Sequence, residues 1–72
     1  GEWVAEVRCS GDLVVLRTPP GCAHVVASAL DRSGIGGLLG TVAGDDTLLC
    51  VAEESVGGKA LTTQLRDLAG LS

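Results

Sequence analysis

Two stretches of this chain lack the alternation that a sheet with one wet face imposes. Leu13-Val14-Val15-Leu16 and Leu48-Leu49-Cys50-Val51-Ala52 are apolar at every position. Successive side chains of a strand point to opposite faces, so a strand with one face in water alternates apolar and polar residues. Strands that are apolar throughout ask for burial on both faces. The chain has 72 residues, enough for one domain, and a domain of that size buries only a modest share of its unfolded surface. Its apolar residues are 46% of the total, yet Trp3 is the only aromatic and Met is absent. The core must therefore be made from Leu, Val, Ile, Ala and Cys, which are small side chains. Domains so limited are usually completed by disulfides, metal or assembly. The expectation here is assembly, with another subunit covering the second face of the sheet.

The other elements follow from local pattern. Trp3, Ala5, Val7 and Cys9 alternate with Glu6 and Arg8, which reads as a half-buried strand. Ser10-Gly11-Asp12 is a tight turn into the strand Leu13–Leu16, so the two strands form a hairpin. Thr18-Pro19-Pro20-Gly21 then opens a helix, with a proline expected at its first position, where no N–H is needed. Ala23, Val26, Ala27 and Leu30 share one helical face, and Gly34 is a natural stop. Leu38 to Ala43 and Thr47 to Ala52 read as two more strands around the turn Gly44-Asp45-Asp46. Ser55 is placed to cap a last helix that carries Leu61, Leu65 and Leu68 on one face and ends at Gly70. The fold class is α+β, a two-layer β-β-α-β-β-α plan. Its four-stranded, mainly antiparallel sheet carries both helices on one face. Residues 1–72 are expected to make one domain, and because no Met is present the chain is expected to be a fragment of a longer protein, with Gly1 left over from cloning.

Composition also removes several functions. Cys9, Cys22 and Cys50 are odd in number and have no C-x-x-C spacing, so a disulfide framework is not expected, and they read as small packing residues. A zinc site would need all three cysteines and His24, scattered along the chain. Net charge is −4, and the five basic residues (Arg8, Arg17, Arg32, Lys59, Arg66) form no cluster, so this chain alone is a poor ligand for nucleic acid. No segment resembles a signal peptide or a membrane span. Gly34 to Gly40 fails as a dinucleotide loop, because Leu39 stands where the third glycine is needed. No Ser–His–Asp or Cys–His arrangement points to catalysis. Trp3 fits an interface or a cap on the core equally well.

One segment carries chemistry. Asp45 and Asp46 stand side by side at a hairpin tip between apolar strands. Adjacent carboxylates repel unless solvent or a cation separates them. On spacing alone three readings stand: a solvated turn, a weak calcium site, or a seat for a guanidinium, whose planar fork of donors matches a carboxylate. The first turn of the first helix adds N–H groups near Gly21, Cys22 and Ala23, an expected seat for an α-carboxylate. Acids at one end and such donors at the other would suit an amino acid with a cationic tail.

Gly40-Thr41-Val42-Ala43-Gly44-Asp45-Asp46-Thr47 resembles the signature of the bacterial arginine repressor C-terminal domain. Thr18-Pro19-Pro20-Gly21, followed by Cys22-Ala23-His24, resembles the start of that family's first helix, and Leu30-Asp31 with Gly34 fits its end. The order and spacing agree over nearly the whole chain. The resemblance implies trimers that pair into hexamers, with L-arginine bound between trimers as corepressor and no other cofactor. It implies that Asp45 and Asp46 hold the ligand's guanidinium, one carboxylate coming from the opposite trimer. Thr41, Ala43 and Gly44 would form the pocket wall, His24 would stand near the ligand's polar end where many members carry glutamine, and Asp31 would face the α-amino group. It further implies a cytoplasmic repressor of arginine genes that meets operator DNA through an N-terminal winged helix-turn-helix domain lying outside this chain. Two other classes remain: a plain assembly domain without ligand, and a small enzyme like pterin carbinolamine dehydratase, whose histidine cluster this chain lacks, having only His24.

Overall fold

The computed structural model describes residues 4–69. Trp3, expected at an interface or as a cap on the core, and Gly70, expected to stop the last helix, lie outside them. The chain runs β1 (Glu6–Ser10), β2 (Leu13–Arg17), α1 (Ala23–Ser33), β3 (Leu38–Gly44), β4 (Thr47–Ala52) and α2 (Gly57–Ala69). This is the expected β-β-α-β-β-α order. The sheet order is β1-β2-β4-β3, and every neighbouring pair is antiparallel. β4 therefore lies between β2 and β3, which run parallel to each other with α1 as their crossover.

Burial restores the alternation that the sequence hides. Val14 and Leu16 of β2, with Leu48, Cys50 and Ala52 of β4, are buried on one face. They join Val7, the α1 residues Val26, Ala27 and Leu30, and the α2 residues Leu61 and Leu65 in a single core. Each fully buried leucine contributes about 1.5–3 kcal/mol relative to exposure. The opposite face is also apolar but is bare. Val15 pairs with Leu49, Leu49 with Val42, and Leu13 with Val51, so these residues form one patch. Leu13 is 44% exposed and Val42 67%, while Val15, Leu49 and Val51 are half-buried.

The first helix buries the four residues expected of it, Ala23, Val26, Ala27 and Leu30, and closes at left-handed Gly34. Its start differs from the sequence reading. Neither proline is helical: Pro19 and Pro20 lie in a turn closed by the Cys22 N–H donating to the Pro19 carbonyl at 3.0 Å. Gly21, at φ 80°, takes the third place of that turn, which requires a positive φ. The restricted conformation before a proline favours this turn over an earlier helical start.

Three other expectations are corrected. Ser55 does not cap α2, which begins two residues later at Gly57 after a turn in which the Val56 and Gly57 N–H groups donate to the Glu53 carbonyl. A Cβ on buried Gly58 would collide with the Gly11 carbonyl, so α2 enters directly beneath the first hairpin turn and only glycine fits there. Leu68 is 59% exposed although Leu61 and Leu65 are buried, because it borders an open groove of about 470 Å³ between the helices, lined also by Val4, Leu16, Val25 and Leu65. In the first strand the chain bends at Ala5, so Val4 rather than Ala5 is buried, and Cys9 is exposed on the edge strand. Arg66 ties α2 to that edge by donating to the Val7 carbonyl at 3.0 Å.

The cysteines thus differ, with Cys9 exposed, Cys22 half-buried and Cys50 buried. Burial, helped by the charge of Asp31, pushes the Cys50 thiol from its ordinary 9.0 up to about 11. Because the folded state disfavours the thiolate, the contribution is intact below 9.0 and is lost as pH rises toward about 11. We expect Cys9 to be alkylated first at pH 8, Cys22 more slowly, and Cys50 only on unfolding, as mass spectrometry over a time course would show. Rapid native labelling of Cys50 would contradict the packing described.

Candidate functional site

The hairpin joining β3 to β4 has two loop residues, Asp45 and Asp46. Asp45 adopts φ 44°, the left-handed region that aspartate tolerates better than most side chains. The tip docks on the segment between β2 and α1. The Thr18 N–H donates to the Asp46 carbonyl at 2.8 Å, and the Ala23 N–H to the Asp45 carbonyl at 3.0 Å. The Gly21 N–H donates to Asp45 Oδ1 at 3.1 Å. The acidic tip and the start of α1 are therefore held as one unit.

These bonds overturn one sequence expectation. The N–H groups of Gly21, Cys22 and Ala23 were to seat a carboxylate, but all three are engaged within the chain, with Asp45 Oδ1, the Pro19 carbonyl and the Asp45 carbonyl. A donor already bonded to a carboxylate is not free to bind another. The acids themselves are also partly satisfied. Asp46 Oδ1 accepts the Thr47 hydroxyl at 2.9 Å, and Asp46 Oδ2 lies 3.9 Å from Arg17 Nη1. Arg17 Nη1 donates to the same Thr47 hydroxyl at 3.1 Å.

Arg17 is the residue that sequence reasoning missed. It stands 29 positions before Asp46 in the chain, and only the β2–β4 register, which pairs Arg17 with Thr47, brings it to the tip. Its signal was a charged residue ending an otherwise apolar strand. The pair is half in water, with side-chain exposures of 55% and 46%, so its contribution is about 0–1 kcal/mol.

The remaining candidates fall in two places. Gly44 and His24 are exposed beside the tip, Gly44 as its preceding residue and His24 next to Ala23 in the first turn of α1. Thr41 and Ala43 are half-buried on the helix-facing side of β3, opposite Cys50 and Leu48, and Ala43 packs against the core. Asp31 is exposed in the last turns of α1, roughly 12 Å along the helix from Ala23 at 1.5 Å per residue. Its charge acts on Cys50, the strand partner of Thr41. One chain therefore gathers Asp45, Asp46, Gly44 and His24, and leaves Asp31 and Thr41 apart from them.

The Asp45 carboxylate has a structural duty distinct from charge. Asp45→Ala removes the acceptor for Gly21 and a residue suited to positive φ, and should lower stability by about 1–2 kcal/mol. Asp45→Asn keeps both and should change stability by less than about 0.5 kcal/mol. Urea unfolding of both variants checks this; equal losses would remove the Gly21 bond from the account.

Residues 1–67 match the family model described as Arginine repressor, C-terminal domain. The match spans both helices and all four strands apart from the last two residues of α2. The chain therefore belongs to the arginine repressor C-terminal domain family, a family of oligomerising, arginine-binding repressor domains and not of enzymes.

Proposed function

We propose that this domain senses L-arginine as a corepressor and converts its presence into hexamer formation. In this reading the bare sheet face joins chains into a trimer, and arginine joins two trimers through the acidic tips. Asp46 of one trimer and Asp45 of the opposite one receive the guanidinium. His24, Gly44, Thr41 and Ala43 border the ligand, and Asp31 takes its α-amino group. A winged helix-turn-helix domain elsewhere in the full protein then meets operator DNA at arginine genes in the cytoplasm.

The observation that carries the ligand reading is a pair of carboxylates, Asp45 exposed and Asp46 half-buried, on a tip clamped by main-chain bonds to Thr18 and Ala23 and by the Gly21 N–H on Asp45 Oδ1. A clamped carboxylate loses little conformational entropy on binding, and preorganisation of this kind favours affinity. The assembly reading rests on the patch of Leu13, Val15, Val42, Leu49 and Val51. A ligand that binds only the hexamer stabilises it by mass action. A second reading has its own observation. Both acids already have partners within the chain, which would suit a plain assembly domain with a structural acidic turn.

Sedimentation velocity at low micromolar concentration separates these. We expect trimers, or trimers with hexamers, shifting to hexamer with L-arginine, and a smaller species for Leu49→Arg. A monomer indifferent to arginine would refute the proposal. Calorimetry should show Asp46→Asn weakening arginine binding roughly tenfold or more, because a charged hydrogen bond contributes about 1.5–3 kcal/mol. Citrulline, similar in shape but uncharged, should bind far more weakly than arginine; equal affinities would favour the plain assembly domain.

A further inference from the structure

We propose that Arg17 is a built-in competitor for the ligand's guanidinium and sets the arginine concentration to which the domain responds. This rests on the reading that Asp46 receives that guanidinium. A carboxylate accepts a guanidinium best through two parallel bonds, one to each oxygen. In the chain alone, Asp46 Oδ1 is taken by the Thr47 hydroxyl at 2.9 Å, and Asp46 Oδ2 is faced by Arg17 Nη1 at 3.9 Å. An incoming guanidinium must move Arg17 aside or share Asp46 with a like charge at close range. Either course costs affinity.

The geometry also shows why Arg17 yields. Its side chain is 55% exposed, its 3.9 Å approach to Asp46 is an ion-pair distance and not a hydrogen bond, and the bond it gives up is an exposed one to the Thr47 hydroxyl at 3.1 Å. Arg17 pairs with Glu6 on β1 as it pairs with Thr47 on β4. Residues paired across antiparallel strands have Cβ atoms about 4.5–5.5 Å apart. Among the described residues, Glu6 accepts only a long contact from Arg8, at 3.5 Å. The guanidinium therefore has two carboxylates in reach, Asp46 on one side and Glu6 on the other. Occupancy of Asp46 by ligand turns Arg17 toward Glu6.

Calorimetry of L-arginine binding to the wild-type chain, Arg17→Gln, Asp46→Asn and the double variant tests this. Removing the competitor should tighten binding by roughly two- to fivefold, the scale of an exposed ion pair. The same substitution made on the Asp46→Asn background should have no effect. Unchanged or weaker binding by Arg17→Gln overturns the proposal, as does an equal gain on both backgrounds, which would signal long-range charge alone. Arg17→Lys keeps the charge without the planar fork and should fall between wild type and Arg17→Gln; weaker binding by the lysine variant also overturns the proposal. Should Asp46→Asn by itself leave affinity untouched, the site reading fails, an outcome separate from those that concern Arg17.

Discussion

The antiparallel seam between β2 and β4 is the constraint on which the rest of this structure depends. It pairs Leu16 with Leu48 and Val14 with Cys50, all fully buried, at the centre of the sheet. The same register sets Val15 beside Leu49 and Leu13 beside Val51 on the other side. A shift by one residue would exchange the two faces and bring Arg17 into the core. The seam thus fixes the hydrophobic centre, the bare face and the place of the acidic tip together.

The two residues of the acidic tip are held in different ways. Asp45 turns inward to the Gly21 N–H and makes the turn possible at a positive φ. Asp46 stays half in water beside Thr47 and Arg17. Repulsion between adjacent carboxylates is therefore relieved by different means on each: a main-chain donor for one, a hydroxyl and a nearby guanidinium for the other. The sequence expectation of a cation near the pair has an answer within the chain, and that cation is of the same chemical type as the proposed ligand.

Much of this was legible in the sequence because it follows from period and turn chemistry. The α1 stripe of Ala23, Val26, Ala27 and Leu30, the stop at Gly34 and both hairpins follow from local rules. The family could be read in the segment from Gly40 to Thr47. What local rules could not reach depends on tertiary placement. Ser55 has the chemistry of a cap, but α2 starts where Gly58 can pass beneath Gly11. Leu68 has the spacing of a core residue, yet it borders an open groove between the helices. The donors at the start of α1 looked free because their partner, Asp45, is distant in sequence. Arg17 was hidden for the same reason.

Each helix packs on the hairpin it does not follow. α1 leaves β2 but lies on β3 and β4, while α2 leaves β4 and makes most of its contacts with β1 and β2. The two ββα halves are thus laced through each other, and neither carries its own cover. Chain order and folding order are uncoupled by this lacing: the first half cannot be completed until the second has been supplied. Compact structure must wait for pairings between residues more than thirty positions apart, such as Val14 with Cys50, and such non-local pairings form more slowly than local ones. A partly synthesised chain would hold an uncovered hairpin and a helix without a seat, so productive folding belongs to the finished domain.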